Sequence, residues 1–207
     1  MSYVELHAKS NFSFLQGASH PEELVRRAAE LGQPAVAVTD VNSLAGVVRA
    51  HTAAKDAGCR LIVGAEITPE EAWPVVLWPT ERAAYGRLCR LITRGRRRAE
   101  KGQCHITMAD VAELNDGLLA GIVPRGFSAR LVDEYRQVFG RRAYLLAELH
   151  QGSDDRRRLA RLHALSRRTR VPLAAAGGVH YHVPGRRPLH DVLTATRLGT
   201  TVSEAAE

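Results

Sequence analysis

Short apolar runs alternate about seven times with segments of helical period along the 207 residues, and the connections between them are brief. Two parallel strands need a crossover between them, usually a helix. The alternation therefore points to an α/β chain with a parallel sheet, open or closed into a barrel. The run AVAVT at 35–39 is continuous, as a strand covered on both faces should be. Further strands are expected at 61–63, 75–77, 118–123, 144–149 and 171–176. The first differs: Val4 and Leu6 alternate with Tyr3, Glu5 and His7, a period of two.

Between these runs lie helix signals. Ser19-x-x-Glu22 reads as a capping box with Pro21 in the first turn, and Leu24, Val25, Ala28 and Leu31 make one apolar face before Gly32. Ser43 is expected to cap a helix carrying Leu44, Val47, Val48 and Ala54. Thr80 is expected to cap one carrying Leu88, Leu91 and Ile92. Thr107 to Asp110 resembles a box with Asp in place of Glu. Ser128 precedes Leu131, Val132, Tyr135 and Val138. The segment 153–170 places Leu159, Leu162 and Leu165 inward and its arginines outward, and a last helix is expected over about 188–198. No long linker or low-complexity segment interrupts the pattern, so one domain over 1–207 is the economical expectation.

The net charge of +7, from 29 Lys and Arg against 22 acids, permits contact with nucleic acid. Cys59, Cys89 and Cys104 form no CxxC pair, which suits a reducing cytoplasm and a cytoplasmic location. No apolar run approaches the ~18 residues of a membrane span, so no membrane partner is expected.

His7, Asp40, Glu66, His150 and His180 each fall at or just past the C-terminal end of a different expected strand. In a parallel sheet those ends share one rim, where sites are built. His, Asp and Glu together suit Zn, Mn or Fe. Lys9 lies two residues past His7, on the same face if the strand continues, and its ammonium would repel a cation. Arg94, Arg96, Arg97, Arg98 and Lys101 are a dense basic stretch able to grip phosphates, without an aromatic residue for base stacking. No phosphate-binding loop, dinucleotide fingerprint or nucleophile elbow occurs.

The blocks YVELHAKSNFSFLQGASHPEELV at 3–25, AVAVTDVNSLAGVVRAH at 35–51, GCRLIVGAEI at 58–67, YGRLCRLITRGRRRAEKG at 85–102, AELHQGSDD at 147–155 and GGVHYHVPGRRPLHDVLTATRLGTT at 177–201 resemble the PHP (polymerase and histidinol phosphatase) domain. The likeness is to the N-terminal PHP domain of bacterial C-family DNA polymerases, in the error-prone, damage-inducible branch. The resemblance implies a distorted seven-stranded (β/α) barrel with a metal-binding rim. It implies His7, Asp40, Glu66, His150 and His180 as remnants of the metal ligands. Lys9 stands where a second His is expected, Val41 where a His follows Asp, Gly178 where an Asp precedes the last His, and Asn11 in place of an acid. A degenerate site is therefore expected, with no tightly bound metal, Lys9 as a surrogate for the missing cation, and Zn or Mn only where the site still functions.

The implied role is a structural module of a polymerase acting in DNA repair and damage-induced synthesis. DNA, the polymerase domains and other components of a mutagenic repair complex are the implied partners. No residue resembles the catalytic aspartates of a polymerase palm, so this chain by itself is not expected to synthesise DNA. The alternatives are a metal-dependent phosphoesterase or 3′–5′ exonuclease, or a basic DNA-binding module acting through Arg94, Arg96, Arg97 and Arg98.

Overall fold

The computed structural model describes residues 3–205. Among them are seven strands, β1 (Glu5–Ala8), β2 (Ala35–Val41), β3 (Arg60–Ile67), β4 (Val75–Pro79), β5 (Leu118–Ile122), β6 (Ala143–Glu148) and β7 (Leu173–Ala176). Eight α-helices accompany them: α1 (Pro21–Glu30), α2 (Val47–Ala57), α3 (Arg82–Arg98), α4 (Met108–Glu113), α5 (Ala129–Phe139), α6 (Asp155–Thr169), α7 (Arg187–Leu198) and α8 (Val202–Ala205). The strands are hydrogen-bonded in chain order, β1 to β7. The α/β class and the seven strands expected from the sequence are present. The chain divides into two compact units, Met1–Val63 with Gly178–Glu207, and Gly64–Gly177, so that β3 contributes to both.

In the first unit β1 and β2 are parallel, with Glu5 opposite Val36 and Ala8 opposite Val38. Val25 and Ala28 of α1, Val36 and Val38 of β2, and Ala50, Ala53 and Ala54 of α2 form one buried cluster with Cys59. The alanines let the two helices approach closely. The other edge of β1 takes Val179, whose N–H donates to His7 O at 2.9 Å and whose carbonyl accepts from Lys9 N at 2.8 Å. The inward positions of β1 are Glu5 and His7, both buried, while Leu6 is half-buried. The period of two was legible, but it marks polar residues as the covered set.

In the second unit β5, β6 and β7 are parallel. β4 runs antiparallel to both β3 and β5, which corrects the expectation of a wholly parallel sheet. Residues 68–74 between β3 and β4 include Pro69 and Pro74 and are too few for a helical crossover, so the chain reverses instead.

Several caps also differ. α1 begins after His20, whose N–H is accepted by the Glu23 carboxylate at 2.8 Å, one residue later than the Ser19–Glu22 spacing suggests. α3 begins after Glu81, and the Thr80 hydroxyl donates to Gly117 O at 2.8 Å. α2 begins after Gly46, with Ser43 serving the turn before it through Ala45 N. The Thr107 box is as expected, its hydroxyl accepting from Asp110 N. Val48, expected on an apolar inner face, is 75% exposed because α2 turns Ala50, Ala53 and Ala54 inward instead, and Leu159 is 40% exposed at the edge of a face on which Leu162 and Leu165 are buried.

Candidate functional site

The first unit is organised around the loop of residues 10–19, between β1 and α1, and Asp40 near the end of β2 anchors it. Asp40 is buried. Its Oδ1 accepts from Ser10 N at 2.7 Å and from the Ser13 hydroxyl at 2.6 Å, and its Oδ2 from the Ser10 hydroxyl at 2.7 Å. Ser13 Oγ also accepts from Val41 N at 3.0 Å. Burial raises the Asp40 carboxyl above its ordinary range, against the opposing pull of the bonds from Ser13 and Ser10. Gly46 lies against this carboxylate, where a Cβ would come within 3.1 Å of Oδ2.

The far side of the loop is tied to residues 179–186. Asn11 N donates to Ser19 O, and Ala18 N to His180 O at 2.7 Å. The Ser19 hydroxyl accepts from His182 N at 3.0 Å and shares a hydrogen bond with His182 Nδ1 at 2.7 Å. Ser19, expected as a helix cap, is thus a loop clamp. Arg186 donates to Glu23 at 2.6 Å. His180 Nδ1 lies 3.1 Å from Gln16 O. A carbonyl only accepts, so Nδ1 carries the proton and Nε2 keeps its lone pair.

The His180 imidazole is surrounded by groups that disfavour its cation. Its ring is 4.9 Å from that of His190, which in turn lies 5.6 Å from Tyr181. Burial first, and then the Lys9 ammonium, lower its pKa to about 4, with His190 and His7 adding to the effect and the Gln16 carbonyl opposing it. Lys9 and His7 are themselves buried.

A pH dependence follows. The unfolded imidazole titrates near 6.5 and the folded one near 4. Between those values the unfolded chain binds a proton that the folded chain does not, so this contribution to stability is complete above about pH 6.5 and is lost as the pH falls toward 4. With a discount for the partial exposure of the ring, the loss is about 2 kcal/mol. Urea titrations at pH 7.0 and 4.5 are expected to show it, and His180→Gln is expected to remove it.

In the second unit Glu66, near the end of β3, is buried. His150 lies two residues past β6 and is exposed. The buried acid at that strand end is Glu148, which sequence reading passed over in favour of the histidine; its carbonyl accepts from Arg158 Nε at 3.3 Å. So His7, Lys9, Asp40 and His180 gather around one loop, and Glu66 and His150 are residues of the other unit.

Among the described residues no group of three or more His, Cys, Asp or Glu side chains is disposed to hold a metal ion. A carboxylate offers about four acceptor directions, and Asp40 has three of them engaged by serine donors. The Lys9 ammonium acts on His180 in the same unit.

Part of the basic stretch at the end of α3 is held in ion pairs. Arg94 donates to Glu113 at 2.6 and 2.7 Å and to Asp110 at 3.1 Å, and Arg98 donates to Asp110 at 2.6 Å. The two guanidiniums and the Thr107 N–H drive the Asp110 carboxyl far below the usual carboxylate range despite its burial. Of the four arginines expected to grip phosphate, two are thus committed to α4, which the linear spacing of 12 to 19 residues did not reveal. No helix among the described residues is long and apolar enough to cross a membrane.

Seven strands in chain order, with helices between them and histidine and acidic residues near several strand ends, define a mixed α/β fold of the PHP kind. Residues 5–160 match the PHP domain family, and the chain belongs to it. Over 218 aligned residues it is 48% identical to an error-prone DNA polymerase of Rhodopirellula baltica, covering 99% of this chain and 19% of that protein. It is 47% identical over 207 residues to an error-prone DNA polymerase of Pseudomonas fluorescens, covering all of this chain and 20% of that protein. The chain thus spans about one fifth of the length of the curated relatives it matches. Its fold is similar to that of a putative metal-dependent phosphoesterase from Bifidobacterium adolescentis, with a TM-score of 0.64, 15% identity, and coverage of 86% of this chain and 88% of that one.

Proposed function

We propose that this chain is the PHP module of an error-prone DNA polymerase, acting in DNA repair and damage-induced, translesion DNA synthesis, and that its role there is structural. Identity of 44–49% to polymerases of that name over 98–100% of the chain supports the assignment. The observation that carries the structural role is the state of Asp40. In a working metal site this carboxylate would face a cation; here it organises the loop of residues 10–19 through Ser10 and Ser13. Lys9 stands beside His180 and supplies a fixed positive charge within the same unit. Val41 and Gly178 provide no ligand where the family resemblance places a histidine and an aspartate. Under this reading His7, Asp40, Glu66, His150 and His180 are remnants, DNA and the remaining polymerase domains are the partners, and the location is cytoplasmic, in keeping with three unpaired cysteines.

Metal content tests the reading. Elemental analysis of the purified chain is expected to find well under one Zn or Mn per chain. Thermal unfolding is expected to shift by less than about 2 °C with chelator or added metal, since tight binding to the folded state alone would move it much further. Two or more metal ions per chain, with a large loss of melting temperature on chelation, would instead support a metal-dependent phosphoesterase or 3′–5′ exonuclease.

A further inference from the structure

We propose that the outer face of α6, together with Phe127, binds single-stranded nucleic acid, its arginines holding phosphates and the phenylalanine ring stacking a base. Helix α6 buries Leu162, Leu165 and Thr169 on one side. Arg157, Arg161, Ala164 and Arg168 recur at spacings of four, three and four residues, so they form one exposed stripe. From Arg157 to Arg168 the stripe extends about 16 Å along the helix axis.

The charge on this stripe is not balanced from within the fold. Among the described residues no carboxylate lies within ion-pair distance of Arg161 or Arg168, and Arg157 meets only Asp154 at 3.9 Å, with both side chains mostly exposed. Arg94 and Arg98 on α3, by contrast, are held by two acids. Like charges at i and i+4 destabilise a helix. A polyanion laid along the stripe would remove that penalty.

The second observation distinguishes nucleic acid from other polyanions. The Phe127 ring, 40% exposed at the loop before α5, lies under the Arg161 guanidinium, 5.2 Å from ring centroid to Cζ. Phe127, Arg161, Ala164, Leu165 and Arg168 line a concavity of about 380 Å³, with small Ala164 leaving it open between the two arginines. An aromatic ring beside a cationic track is the arrangement by which single strands are held without sequence preference. In a duplex the base faces are already stacked, so the ring adds nothing there. The inference involves none of the residues around Asp40, and the metal content of the chain does not bear on it.

The test is fluorescence anisotropy of the 207-residue chain with a labelled oligo-dT of about 20 nucleotides, with a duplex of equal length and heparin as comparators. Replacing Arg157, Arg161 and Arg168 together with alanine is expected to weaken oligo-dT binding at least about ten-fold and to reduce the slope of log K against log salt by about 2. F127L is expected to weaken oligo-dT binding roughly five-fold and to leave heparin binding unchanged, and F127Y to restore it. F127W supplies a reading independent of affinity, as its fluorescence should be quenched by oligo-dT and not by heparin. An unchanged salt slope in the triple variant overturns the proposal. So does an equal effect of F127L on oligo-dT and heparin, which would mark a general polyanion face, and so does duplex binding as tight as that of oligo-dT.

Discussion

Replacing Asp40 with alanine is expected to destabilise the protein by about 3 kcal/mol, and asparagine in its place by roughly half as much. The substitution removes the acceptor of three hydrogen bonds at once, from Ser10 N, the Ser10 hydroxyl and the Ser13 hydroxyl. Ser10 and Ser13 are both buried, so water does not readily replace the lost partner. An unsatisfied buried donor costs about 1–3 kcal/mol, and rotation of the two hydroxyls recovers part of the sum. Asparagine keeps one oxygen for Ser10 N but presents an amide N–H₂ to the other side, where only a hydroxyl that reverses its role can accept. Urea unfolding at pH 7 with an unchanged m-value would measure the difference. A loss below about 1 kcal/mol for the alanine variant would mean that Asp40 does not anchor the loop.

Gly17→Ala is expected to be at least as severe, about 3 kcal/mol or more. A Cβ at this position would stand 2.0 Å from Ser10 O and 2.3 Å from Ser10 C. These are backbone atoms, so no side-chain rotation relieves the overlap and the loop itself must move. Gly17 N donates to Ser13 O at 3.0 Å, and the next amide, Ala18 N, donates to His180 O at 2.7 Å, so displacement breaks the tie to residues 179–186 as well. Gly32→Ala provides a control. There φ is +69° and nothing lies within 4 Å of the added carbon, so its cost is conformational alone, about 1 kcal/mol. Similar melting temperatures for the two variants would contradict the steric account.

The elements were legible where period and composition agree. Strand β2, an apolar run leading to Asp40 and Val41, and helix α5, with Val132 and Tyr135 buried, follow from their sequences. The reversal at β4 was not legible from apolar content, because Val75, Val76 and Leu77 look alike in either direction; the short, proline-bounded connection at 68–74 held the information. Caps failed by one to three residues, at Ser19 because its hydroxyl serves His182 instead. The site was legible as a set of positions and not as a chemistry. Spacing placed His7, Asp40 and His180 at strand ends, but two nearby serines decide what Asp40 does, and the neighbourhood of Lys9 and His180 depends on residues 171 positions apart in the chain. The arginines were misweighted for a related reason. Local density drew attention to 94–98, while Asp110 and Glu113, which neutralise it, lie beyond the window.

The return of residues 179–186 to β1 and the loop of residues 10–19 has a consequence for biosynthesis. A ribosome adds about 5–20 residues per second, so some ten to thirty seconds separate the emergence of Ser10 from that of His180. Throughout that interval the free edge of β1 and the carbonyl of Gln16 have no native partner, and β1 offers an unpaired strand edge to any neighbouring nascent chain. The loop of residues 10–19 therefore waits for a segment some 160 residues further along the chain before it is finished.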